Sequence, residues 1–429
     1  MARAAGKDYS EGGGCWRYPG PDSPQRLCTG TRSSTANYKG DVAYIALLHG
    51  SMTEFLLYTL VLGNRLLRLN PTIPRLLLLG TSSDAPEPSP EQQALLKLLW
   101  TVMPVNLVDA PEADATGSKR HRYVFTKLRA LEVPFRKVLF LDVDVVVRKD
   151  PSPLFEVPAP AGMYHGRCSE WYTPEHGGLI SLEAIRDGCV NAGLLRLDPP
   201  PQAERHALVS EMVAEAMSIP AQEASNLPEQ YYLVNKLSGW HHVSVQWNCE
   251  VLPCFYVEEA SADSPSRIER SRMAIAWHQL GNNQDELREK VGMFHFSGTA
   301  LHPWWYLSFS PEEAEAHLKQ AFCARDPRGL TSLAVSEWLT AAEELRETAK
   351  TWPEENAAAV AEVFGCLTDS AEAWWKHAKA CPSCGLLVSE GWVTSSAEAT
   401  SADAEDWVCE ECVVGRLTST VAEHYLRSA

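Results

Sequence analysis

An α/β fold with a mostly parallel central sheet is what this sequence predicts, on three observations. Strand-like and helix-like text alternate from Asp41 to Val147. The strand-like segments are near-continuous apolar runs, the pattern of strands covered on both faces. The acidic interruption Asp142-Val143-Asp144 comes late in its run, at the carboxyl end where such sheets bind their ligands.

Taken in order, residues 1–39 are rich in Gly, Ser, Pro and Arg without an apolar period and read as a flexible leader. DVAYIALLHG, from Asp41, is a buried strand closing on Gly50. EFLLYTLVLGNRLLRLN is a helix with Leu56, Leu60, Gly63 and Leu67 on one face. PRLLLLG is a second strand, and SPEQQALLKLLWTV a helix opened by Ser89 and Pro90. VNLVDA is a third strand, YVFTKLRAL begins another helix, and KVLFLDVDVVV is the next strand. From Pro311 the text turns Ala- and Glu-rich and helical. Two CxxC pairs close the chain, and no internal repeat interrupts it.

The 429 residues suffice for two or three domains. The apolar share of 45% is ordinary, and 14 Trp favour packed surfaces over disorder. Residues 311–429 hold 21 acidic and 9 basic side chains, so −12 of the total −17 lies there. That sign excludes a duplex-binding role. No apolar run reaches the ~18 residues of a membrane span, and the N-terminus lacks an apolar core of signal-peptide length. The expected compartment is therefore reducing and cytoplasmic.

Inside an extended strand, carboxylates at i and i+2 point the same way. They repel unless a cation lies beside them. Hard oxygen ligands suit Mg²⁺ or Mn²⁺, which keep open positions for substrate phosphates. Asp142 and Asp144 thus mark a divalent ion that holds a phosphorylated ligand, or else a strand end whose acids are simply solvated. Four apolar residues before the pair and three Val after it favour the ion. Two enzyme classes carry such a pair at a strand end: phosphatases of the haloacid-dehalogenase type and nucleotide-sugar transferases. The acidic downstream motif of the phosphatases is missing.

Cys381, Cys384, Cys409 and Cys412 form C-x2-C-x24-C-x2-C. Four thiolates satisfy tetrahedral Zn²⁺ with no position left open, a structural site; free thiols are the alternative. Such a module could bind a protein partner, anchor the catalytic domain or only fold itself.

The motifs around the acidic pair fall in a telling order: FTKLRAL, LDVDVVV, DPSPLF, CVNAGLLRLDPP, LPEQYYLVNKLSGW, VQWNCEVLP and VGMFHFSGTALHPWW. In this the chain resembles glycosyltransferase family 8, the glycogenin-like retaining transferases of GT-A fold (a Rossmann-like nucleotide-diphospho-sugar transferase fold). The resemblance covers about Asp41 to Trp305. It implies transfer of a hexosyl group from a UDP-sugar to an unspecified acceptor. It implies Mn²⁺, or Mg²⁺, held by Asp142, Asp144 and His295, with Lys127 near the donor's phosphates or sugar. Asn191 and Gly193 would lie against the sugar, with Ala192 where the family has Ser. Glu229 and Gln230, where the family has Asp-Gln, would face the sugar opposite UDP, stabilising an oxocarbenium-like centre. Leu47 and His49 would line the base and ribose. His302, where the family has Lys, and Gly298 would meet the phosphates. Trp304 and Trp305 would stack on sugar or close the core. Trp171, Tyr172 and His176 fall in an insertion that could shape the acceptor side, and Tyr256 is a weak candidate for self-glycosylation. A catalytically weak scaffold acting through its zinc module is the other reading the departures allow. The expected domains are a leader (1–39), the GT-A domain (40–310), an acidic helical region (311–378) and a four-cysteine zinc module (379–429).

Overall fold

A computed structural model describes residues 40–82, 86–109, 122–166, 177–181, 188–218, 228–251, 280–281, 283–297, 301–322, 326, 328–380 and 387–389. The leader, Trp171, Tyr172, His176, Tyr256, Gly298 and the four CxxC cysteines lie outside the described residues. The chain divides into two units, Met1–Asn248 and Cys249–Ala429.

The first unit is built on strand β1 (Gly40–His49), which is apolar throughout most of its length and buried from Ala43 to Ala46. Helix α1 (Thr53–Leu69) follows, then β2 (Arg75–Thr81), whose Leu76–Leu79 are buried. Helix α2 (Pro90–Leu99) opens as its sequence predicts. The Ser89 hydroxyl accepts the Gln92 N–H at 3.2 Å, and the Gln92 side chain accepts the Ser89 N–H at 2.9 Å, a capping box with Pro90 at the first helical position.

Two boundaries differ from the sequence reading. Trp100, Thr101 and Val102 are not the tail of α2. Strand β3 runs Thr101–Asn106 and takes in only Val105 and Asn106 of VNLVDA. Its β-branched start leaves the helix readily, and Pro104 is tolerated because β3 is the edge of the sheet. The FTKLRAL stretch is a 3₁₀ helix, Val124–Glu132, rather than an α-helix. It has no side-chain N-cap, and Val133 before Pro134 is forced extended.

A third difference bears on the site. The run expected as one strand is two, β4 (Phe135–Leu141) and β5 (Val145–Val147). Asp142-Val143-Asp144 lies in the turn between them, so strand alternation does not orient the two carboxylates. The Asp142 amide still donates to Gly193 O at 2.9 Å. After that bond the chain leaves the sheet, where carboxylates are spared full burial.

Strands β6 (Ala161–Gly166), β7 (Gly188–Leu197) and β8 (His241–His242) complete a seven-stranded sheet of order β3-β2-β1-β4-β7-β6-β8. Its first four strands are parallel, and β7 runs antiparallel to β4 and β6. Helices α3 (Gln202–Met217) and α4 (Pro228–Lys236) pack near the 3₁₀ helix, and α4 also packs on β7. The phenol of Tyr232 ties them together, donating to Met212 O at 3.0 Å and standing edge-on to Phe125.

The second unit pairs β9 (Cys249–Glu250) in parallel with β10 (Met293–His295). It also holds α5 (Gln284–Lys290), the 3₁₀ turn Pro303–Tyr306, and helices α6 (Pro311–Phe322), α7 (Leu330–Ala349) and α8 (Glu354–His377). Asp326 opens α7 by accepting the amides of Leu330 and Thr331 at 3.0 and 2.6 Å. Helices α7 and α8 pack on the Pro303–Tyr306 turn.

Candidate functional site

In the first unit, three of the expected residues meet around one ammonium group. Lys127 lies on the 3₁₀ helix, which is held to the chain after β3 by the Val108 amide donating to the Thr126 hydroxyl at 2.9 Å. Its side chain is only 12% exposed and donates to Asp142 Oδ2 at 2.9 Å. The same Nζ lies 3.5 Å from Glu229 Oε1 and 5.8 Å from the Phe140 ring centroid. Burial by itself pushes the pKa of this ammonium down. The charges of Asp142 and Glu229, the hydrogen bond to Asp142 and the charge of Asp144 outweigh it, so the pKa stands above the ordinary lysine value. Lys127 is therefore a fixed cation.

Glu229 and Gln230 are both buried in the first turn of α4. A carboxylate there is also favoured by the positive end of the helix. Tyr58 of α1 feels one of these charges, that of Asp144. Burial, then Asp144 and Glu54, push its phenol well above the usual value, so it stays protonated.

Asn191 and Gly193 of β7 reach the acidic turn through the backbone. Asn191 Oδ1 accepts the Gly193 amide at 2.8 Å, and Gly193 O accepts the Asp142 amide. Asn248, fully buried at the end of this unit, donates its side-chain amide to the same Oδ1 at 2.8 Å. The VQWNCEVLP motif marks this segment in the sequence without singling out Asn248. The signal available was a polar residue amid apolar ones, which does not name its partner.

At the carboxyl ends of β1 to β3, Leu47 is half-buried against the core, and the His49 ring stands 5.4 Å from Tyr123. Tyr123 lies under the Arg122 guanidinium at 5.1 Å, itself paired with Asp109 at 2.6 Å. Asp150 of DPSPLF accepts from Tyr44, Asn70 and Ser152, so this motif anchors β1 and the end of α1.

In the second unit His295 is buried on β10, and His302 precedes the Pro303–Tyr306 turn with its ring 4.9 Å from that of Trp305. Trp305 is buried and Trp304 half-buried. The buried Glu250 of β9, which the sequence motif does not single out either, accepts from Ser297 Oγ at 2.9 Å. Among the described residues, Asp142 and Asp144 in the first unit and His295 in the second carry groups of the types that hold a metal ion. Two carboxylates and one imidazole fit Mn²⁺ or Mg²⁺ by donor type. Among the described residues, no helix is long and apolar enough to cross a membrane.

The family model of glycosyl transferase family 8 matches residues 47–308. Uncharacterized protein R707 of Acanthamoeba polyphaga mimivirus is 27% identical over 259 residues, 58% of this chain and 86% of its own length. The solved structure of galactosyltransferase LgtC in complex with donor and acceptor sugar analogs is 18% identical, at a TM-score of 0.43, over 73% of this chain and 98% of that one. Mouse xyloside xylosyltransferase 1, in its apo form, is 14% identical, at a TM-score of 0.36, over 60% of this chain and 98% of that one.

Proposed function

Since this chain belongs to glycosyl transferase family 8, and is a glycosyltransferase of GT-A fold, we propose that it moves a hexosyl group from a UDP-sugar to an acceptor with retention of configuration. Family membership leaves the phosphatase reading without support. The observation that carries the proposal is the Lys127 ammonium shared by Asp142 and Glu229. It links a residue of the proposed metal site to a buried carboxylate on a helix N-terminus.

Asp142, Asp144 and His295 would hold Mn²⁺ or Mg²⁺, and their donor atoms suit either ion. Such an ion supplies charge neutralisation to the diphosphate and Lewis acidity toward departing UDP. Lys127 adds a second, permanent positive charge for phosphate or sugar oxygens. Gln230 contacts the donor sugar. Glu229 supplies negative charge or orientation beneath the oxocarbenium-like centre, and its burial strengthens that field. Asn191 and Gly193 lie along the sugar, Leu47 and His49 along base and ribose, and Gly298 and His302 at the phosphates. The four cysteines hold a structural Zn²⁺, in a module open to a protein partner. The domain limits 40–310, 311–378 and 379–429 stand as part of the same proposal.

The test is hydrolysis of a panel of UDP-sugars with Mn²⁺, repeated with chelator and with Asp144→Ala. One donor should be turned over, and that turnover should vanish in both controls. Equal rates in wild type and variant would remove the site.

A further inference from the structure

We infer that Asn248 is a positioning residue that sets which end of the Asn191 amide is offered to the donor sugar. The inference rests on the transferase reading above and deepens it. A backbone N–H can only donate, so the Asn191 atom that faces the Gly193 amide at 2.8 Å is the oxygen. That oxygen also accepts the Asn248 amide at 2.8 Å. With Oδ1 engaged by two donors, the side-chain NH₂ occupies the amide's other branch, and Asn191 is fixed as a donor toward hydroxyl oxygens. Rotation by 180° would bring two NH₂ groups and a backbone N–H against one another in a buried setting, and the two bonds to Oδ1 would be lost.

The same bonds continue to the acidic turn. Gly193, whose amide is held by Asn191, presents the carbonyl that takes the Asp142 amide at 2.9 Å. Asp142 then accepts from Lys127. Asn248 thus stands at the far end of a chain of bonds running through the sugar-facing segment into the acidic pair. Each link is buried or half-buried, where such bonds are strongest and their loss costs most. Asn248 itself is fully buried, so it acts through Asn191 and not on substrate.

Asn248→Asp tests this. The substitution keeps the shape and replaces the donating NH₂ with an oxygen that repels Asn191 Oδ1, favouring the rotated amide. Expected is a fall in kcat for UDP-sugar hydrolysis of at least about tenfold, the scale at which small misplacement acts. Affinity for UDP, which lacks the sugar, should stay within about twofold of wild type. Asn191→Asp is the second variant. It keeps the acceptor oxygens for Gly193 and Asn248, loses only the NH₂, and should show the same split between kcat and UDP affinity. Wild-type kcat in either variant overturns the inference, and so does a parallel loss of kcat, UDP affinity and melting temperature. A wild-type protein that turns over no UDP-sugar defeats the parent reading instead. The inference is then decided by the crystal structure of Asn248→Asp, where an unrotated Asn191 amide overturns it.

Discussion

Lys127 is held by two carboxylates in a setting that burial alone would make hostile to its charge. Removing one partner of such a buried cluster is worse than never having built it, because the remaining charges stay behind uncompensated. Lys127→Met should therefore destabilise the fold by about 3 kcal/mol and abolish turnover, read by denaturant melts and the UDP-sugar assay. Undiminished stability would mean that the carboxylates find another cation. The pH dependence follows from the direction of the shift. A pKa raised above the unfolded value of about 10.4 contributes stability that is fully present below that value, and loses it as pH rises through the folded pKa. Stability from this group should be flat across the neutral range and fall only in strong alkali. At this scale the sequence was legible where a motif named a charged residue, as with Lys127 and Asp142. It was silent on Asn248, because a buried amide acquires meaning only from the atom opposite it.

Helix α1 shows what periodicity conveys and where it stops. The apolar face through Leu56, Leu60 and Gly63 is real, but every residue from Leu56 to Asn64 is buried, so most of the helix is enclosed rather than half-exposed. Gly63 is there for space. A Cβ on it would come 2.4 Å from Trp100 Nε1, and that indole donates to Thr59 O at 3.0 Å. Gly63→Ala should cost about 1–3 kcal/mol through displacement of Trp100, despite the better helix propensity of Ala. A variant as stable as wild type in urea would show that the indole can move freely. The split of β4 from β5 is the opposite lesson. The apolar residues just before Asp142 and just after Asp144 read as one strand, but the chain turns at Val143 and Asp144, once the Asp142 amide has bonded to Gly193.

At the scale of the whole molecule, the family match ends at residue 308, but the second unit does not. Helix α7 buries twelve of its twenty residues, among them Leu333, Trp338 and Leu345, and packs with α8 on the Pro303–Tyr306 turn that follows His302. A chain ended at Ser310 would expose that turn and strip the unit of its core. It should lose cooperative thermal unfolding and soluble yield. A truncated protein with the melting temperature of the full chain would show that the helices are a dispensable appendage. By itself the sequence determined the fold class, the order of its motifs and the chemical types at the site. Alternation of apolar runs and the placing of charge are local properties, written in neighbouring residues. The tertiary structure decided that Lys127 serves both Asp142 and Glu229, and that Asn248 reaches Asn191 across 57 positions. Such pairings depend on which elements the sheet order sets side by side, and spacing along the chain does not encode that order.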